Sequence, residues 1–265
     1  MLLGSVFGKF LRDHLRALVG WMIAVTAVTA LYSGFWPSIR DTGDLMDAYI
    51  DAMPQLTDAL GWTDLASPEG YLNATVFGLL TPILMTVAAI SLGARAIAGD
   101  EEDGGLELVL AHPVSRTRVV LQRFAALAVF VALLGAALFA VLLLLGPILE
   151  LGVAVERLAA ASAAVTLIAF AYGTAALTVG AVTGRRSFAI AAAALLAVVG
   201  YLGNSFALQV EELEWLRFLS AFYYGLDPDP LTNGVDAGYT LVLVAVAAVL
   251  PVIAVAVFQR RDIMV

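Results

Sequence analysis

The residues best equipped for chemistry crowd into one stretch, Arg95 to Arg123, which reads RAIAGDEEDGGLELVLAHPVSRTRVVLQR. Asp100, Glu101, Glu102 and Asp103 stand together, His112 precedes Ser115 by three residues, and Arg116, Arg118 and Arg123 follow. An acid, a histidine and a serine can make an activated nucleophile if the base reaches the hydroxyl and a third group orients the base. Here Pro113 separates His112 from Ser115, and no acid stands at a defined orienting position. The other histidine, His14, is too remote in sequence to form a metal-ligand pair with His112. The chain has no cysteine, which excludes disulfides, thiol chemistry and thiolate-bound metals. No catalytic residue and no metal site is assigned. The use that remains for such a stretch is recognition of a partner.

The elements that must position it are apolar. Of 265 residues, 62% are hydrophobic and 14% charged, against about 25% charged in a soluble domain. Six runs, roughly 17–36, 71–94, 119–145, 158–183, 187–208 and 237–258, are each long enough to cross a hydrocarbon core of ~30 Å. In lipid the backbone must satisfy its own hydrogen bonds, so these runs predict helices. The fold class is an all-α polytopic membrane protein, and the chain forms one transmembrane domain over 1–265. With the N-terminus inside, 11 of the 14 basic residues face the cytoplasm and only Arg40, Arg157 and Arg217 lie outside. Both termini are then cytoplasmic. The acids fall mainly on the other side, and no compact ligand spacing appears among them, so they read as a solvated face. The net charge of −8 argues against a nucleic-acid partner.

Before the first span, Phe7 and Phe10 recur at helical spacing among Lys9, Arg12 and Arg16, which predicts an amphipathic helix lying on the inner membrane surface. Ser67-Pro68-Glu69 predicts an N-cap, a first-turn proline and a first-turn acid at the start of span two. In the first outer loop, Leu45, Met46, Tyr49, Ile50 and Met53 predict a short helix ending near Pro54. The third outer loop, 209–236, predicts short helices with aromatic residues at headgroup level. Pro82 and Pro251 predict kinks. Gly180 and Gly184 suggest close helix packing. The spans hold almost no ionisable residue, where ion-driven pumps keep carboxylates or histidines.

Between spans two and three, Gly104-Gly105 breaks the chain and Leu106 to Ala111 predicts a short helix with Leu106, Val109 and Leu110 on one face. Glu107 sits in its first turn, Pro113 ends it, and Ser115 caps the next helix. Two turns are unstable alone and need a surface. That is the form of a helix docking into the cleft of a separate ATPase. A generic inner loop of mixed charge has the same composition.

The run Glu102-Asp103-Gly104-Gly105-Leu106-Glu107-Leu108-Val109-Leu110-Ala111-His112-Pro113-Val114-Ser115-Arg116 resembles the E-x-G-T-L-E-x-L-L-x-x-P-V-S-R pattern of type-2 ABC-transporter permeases, with Gly105 in place of the usual Thr and Val109 in place of Leu. Gly70-Tyr71-Leu72, Asp229-Pro230-Leu231 with Gly234, and Phe258-Gln259-Arg260-Arg261-Asp262-Ile263 are similar to further family features in the same order. The resemblance implies the permease subunit of an ABC exporter in a prokaryotic plasma membrane, moving an amphiphilic drug-, antibiotic- or lipid-like substrate outward. Its partners would be ABC ATPase subunits and a second permease chain, identical or homologous. No G-x-x-x-x-G-K-[ST] occurs, so the chain would carry no cofactor itself, with ATP and Mg on the ATPase. The resemblance implies docking and coupling through Glu101, Glu102, Gly104, Leu106, Glu107, Leu110, His112, Pro113, Ser115 and Arg116. The rival readings are an ion-gradient-driven secondary carrier and a membrane-embedded lipid-modifying enzyme.

Overall fold

A computed structural model describes residues 6–42, 52, 64–65, 67–206 and 211–261. Among these the chain is helical throughout. The helices are α1 (Val6–Asp13), α2 (Leu15–Gly34), α3 (Trp36–Arg40), α4 (Pro68–Glu102), α5 (Gly105–Leu110), α6 (Arg116–Ile148), α7 (Val155–Thr183), α8 (Arg186–Phe206), α9 (Ala221–Leu226), α10 (Pro230–Asn233) and α11 (Ala237–Arg260), with a 3₁₀ turn over Glu211–Leu219 between α8 and α9. Six are long and apolar enough to cross a membrane: α2 with α3, α4, α6, α7, α8 and α11. The chain is an all-α polytopic membrane protein. The helix expected over 45–53, Val210, Asp262 and Ile263 lie outside the described residues.

Two spans form the centre. The most apolar window is 61% buried in α4 and 67% in α7, against 22% in the first span and 28% in α8 and α11. Small residues let these two helices approach. A Cβ on Gly93 would overlap the carbonyl of Gly173, and a Cβ on Gly173 would stand 2.9 Å from that of Ala89. Without a hydrophobic driving force between helices in lipid, such close van der Waals packing has to supply association. Gly180 also packs closely, facing Ala98. Gly184 is approached more closely still, since a Cβ there would overlap the Arg261 guanidinium and stand 2.8 Å from the Glu101 carboxylate. It closes α7 at φ +67, a left-handed cap that glycine adopts without steric cost.

The second span is longer than its apolar run. Ser67 caps its start, accepting from the Gly70 N–H at 3.0 Å, with Pro68 in the first turn. Just before Pro82 the helix widens into a π-helical stretch over Asn73–Leu80, where the Thr81 N–H reaches back to the carbonyl of Val76. A second π stretch, Arg95–Gly99, precedes the acids. Those acids, expected beyond the helix, form its last turn, Asp100–Glu102. Acids at a helix C-terminus oppose the backbone dipole, so this turn persists only because other helices supply compensating donors.

Contacts between sequence-distant residues define two ends. At one, α1, the end of α4, the starts of α6 and α8 and the end of α11 meet. At the other, Arg40 pairs with Glu150 at 2.8 Å, Arg157 with Glu69 at 3.9 Å and Arg217 with Asp227 at 2.8 Å, and the Asn73 amide donates to Asp229 at 2.5 Å. Each arginine assigned to the outer side thus has an acid beside it. The first pair is exposed and the second partly so, and such pairs contribute only ~0–1 kcal/mol.

Candidate functional site

The end that gathers both chain ends contains a junction built on the last turn of α4. Successive residues of an α-helix project about 100° apart, so three acids in a row sweep more than half the circumference and reach different neighbours. Asp100 pairs with Arg123 of α6, Glu101 pairs with Arg261 just beyond α11, and the Glu102 carboxylate accepts the backbone N–H of Arg186, the first residue of α8, at 2.8 Å. The last contact also places a negative charge at a helix N-terminus, where the dipole favours it.

Two members of the junction are buried ions. Arg123 is 3% exposed and Glu101 8%. A lone charge in such surroundings is costly, and a paired, hydrogen-bonded one is tolerated. Arg123 has a second support, since its guanidinium lies 4.2 Å from the ring centroid of Phe10. Phe10 is fully buried, Phe7 packs against the core, and the Phe7 N–H donates to the Gln122 side chain at 3.1 Å. The apolar face of α1 is therefore turned onto the protein. Lys9, Arg12 and Arg16 remain exposed.

Two residues separate this junction from α5. Asp103 is exposed, and Gly104 turns the chain in the left-handed region at φ +70, serving as the N-cap. Gly105 is thus already the first helical residue. Leu106, expected on an outward docking face, is buried at 1% and belongs to the main core cluster. A two-turn helix needs somewhere to bury apolar area, and the chain's own helices provide the seat. The side chain of Leu110 is outside the described set. The outer surface instead presents Glu107, Leu108 at 70% exposure, Ala111, His112 and Pro113.

The polar residues that follow are occupied locally. The His112 ring nitrogen Nδ1 meets the carbonyl of Leu108 at 2.9 Å, and Ser115 Oγ caps α6 by accepting the Arg118 N–H at 3.3 Å. Neither is arranged as a nucleophile and its base. Arg116 reaches across to α11, donating to the carbonyls of Phe258 at 3.0 Å and Arg261 at 2.5 Å. The junction, the short helix and the C-terminal end of the sixth span form one connected unit.

A family model described as an ABC-2 family transporter protein matches residues 5–263. The chain belongs to that family. No curated protein matches it. The match takes in every described helix. As an ABC-2 family transporter protein, the chain is a multi-pass membrane permease, a transport subunit.

Within this permease the structure brings together Glu101, Glu102, Gly104, Leu106 and Arg116, and leaves Glu107, His112 and Pro113 on the outside. Sequence reasoning passed over Asp100, Arg123, Arg186 and Arg261 as site residues. One signal was present. Arg116, Val119, Val120 and Arg123 lie on one helical face at spacings of three, four and seven, and Val119 and Val120 are core residues. A charge on a buried stripe demands a partner, and the acids 20 residues upstream were the available ones.

Proposed function

We propose that this permease is the membrane half of an ATP-driven exporter. Two such chains, or this chain and a homologue, enclose the route, and separate ABC ATPase subunits bind beneath α5 and hydrolyse ATP with Mg. The supporting observation is the placement of α5. Its outer face carries exposed Leu108, Glu107 and His112, while its base is tied within three residues to α6, α8 and the end of α11. A body docked on that face would move several spans together. The basic residues at the same end favour a cytoplasmic location for it and for both termini, in a prokaryotic plasma membrane. The cargo is amphiphilic, of drug, antibiotic or lipid type, because the spans offer no unpaired carboxylate to hold a polar ion at mid-depth.

The test is co-expression with an ABC ATPase from the same genome, purification through a tag on the permease, and ATP-dependent uptake of an amphiphilic dye into inside-out vesicles. Leu108→Asp should lose the copurifying ATPase and the uptake while the permease stays folded. Uptake that persists without ATP and collapses with an ion gradient would replace this reading with a secondary carrier. Product formation from lipid by the purified chain would replace it with an enzyme.

A further inference from the structure

Next to the junction, a groove of about 530 Å³ opens between α6, α7 and α11 and runs from there along the spans. Its walls include Leu121, Phe124, Phe170, Ala248, Pro251 and Val252. Phe124 and Phe170 pack with ring centroids 5.2 Å apart. On α11 the lining runs from Val244 to Val255, about 16 Å at 1.5 Å per residue. That is about half of a ~30 Å hydrocarbon core, or one leaflet. Pro251, which has no N–H, leaves the carbonyl of Ala247 without its helical donor, and the small side chains of Ala247 and Ala248 keep the trough open.

The groove is polar at one end only. There Thr117 lines it and accepts a hydrogen bond from the Gln259 amide at 2.6 Å. Beside Thr117 stand two positive charges that no acid compensates among the described residues. Arg116 spends its guanidinium on two backbone carbonyls. Arg118 is exposed, and its guanidinium has no partner among the described residues. An apolar trough one leaflet long, ending at a hydroxyl whose two chain neighbours are arginines, matches an anionic amphiphile with its chain along the helices.

We propose that this groove holds one acyl chain of an anionic phospholipid from the leaflet at that end, with its phosphate at Arg118 and Arg116. Its apolar walls are distinct from the exposed face of α5 proposed to meet the ATPase, and lipid retention can be measured without the ATPase.

The experiment is native mass spectrometry of the full chain released from nanodiscs of phosphatidylglycerol and phosphatidylcholine with matched chains. The parent chain should retain one phosphatidylglycerol. Arg118→Gln should keep a lipid but lower the preference for phosphatidylglycerol over phosphatidylcholine about fivefold, the equivalent of the ~1 kcal/mol that one arginine contributes near an anionic surface. Ala248→Trp should fill the trough and lose the retained lipid of either kind. Val252→Trp, at a position 67% exposed, repeats that test from a neighbouring wall if the first variant folds poorly. Equal retention of both lipids by the parent chain and Arg118→Gln would overturn the proposal. So would lipid retained by both tryptophan variants. A change in oligomeric mass on filling the trough would also overturn it, and would identify the groove as an interface between copies of the chain.

Discussion

Replacing Glu101 by Gln is the sharpest probe of the junction, because it changes one charge and almost no volume. The side chain of Glu101 is 2% exposed and that of Arg261 15%. Removing one partner of a buried pair leaves the other charge uncompensated, at a cost of about 3–5 kcal/mol. Arg261 follows the last turn of α11 and can swing partly into solvent, so the lower end, about 3 kcal/mol, applies. Arg116, whose guanidinium already binds the Arg261 carbonyl, adds a second cation nearby and opposes relaxation in place. At roughly 2–4 °C per kcal/mol for a chain of this size, the thermal midpoint of the purified permease should fall by about 6–12 °C. Arg261→Gln should cost more, since it strands a carboxylate that is only 2% exposed and cannot turn to solvent. The reversed pair, Glu101→Arg with Arg261→Glu, should recover part of the loss, and the double-mutant cycle should return at least ~1 kcal/mol of coupling. Midpoints within about 1 °C of the parent, or strict additivity, would show that the pair neither stabilises the junction nor positions the C-terminal end of the sixth span.

Other substitutions separate seat from surface. Leu106→Asp should destabilise the permease by about 4 kcal/mol or more, since it removes a buried leucine and inserts an unpaired acid, whereas Leu108→Asp should leave the thermal midpoint within about 0.5 kcal/mol of the parent. Gly104→Ala should cost about 1–2 kcal/mol for its φ of +70, read as a lowered midpoint with α5 still present by hydrogen exchange. Gly173→Val should cost at least ~1–3 kcal/mol by forcing α4 and α7 apart, measured in the same melt.

The parts of this structure legible in the sequence were those set by local physics. Apolar length located the six spans to within a few residues in most cases. Ser67 and Ser115 were readable as caps because a hydroxyl before a helix has one obvious use, and Pro113 marked a break that the chain observes. Local rules misplaced the acids. Asp100, Glu101 and Glu102 read as lying past the second span because its apolar run stops at Ala94, and the reason they are helical is distributed over residues as far away as Arg261, 160 positions on. Leu106 was misplaced for a related cause. Periodicity identifies an apolar face but does not say whether lipid, a partner or the chain itself covers it, and at Leu106 the chain does. Gly184 carried the spacing of a packing motif, and it both ends α7 and lets the Glu101–Arg261 pair approach its backbone.

The π stretch over Arg95–Gly99 gives the junction a property that no single contact has. A π turn accommodates one residue more than an α turn over the same rise, so converting it to α geometry rotates everything beyond it by about 100°. Here what lies beyond is the triad Asp100, Glu101 and Glu102. A rotation of one residue would carry each acid away from its present partner, breaking the ties to Arg123, Arg261 and the Arg186 N–H together. The three contacts therefore hold the π register, and the register in turn aims the three contacts. Deleting Gly99 tests this, because it removes one residue without removing a side chain and leaves every charge in the chain. If the register matters, the deletion should lower the thermal midpoint by more than Glu101→Gln does, and reversing the Glu101–Arg261 pair in that background should recover nothing. A deletion variant as stable as the parent would mean that the two residues Asp103 and Gly104 absorb the shift, and that α5 is less firmly joined to the spans than the junction implies.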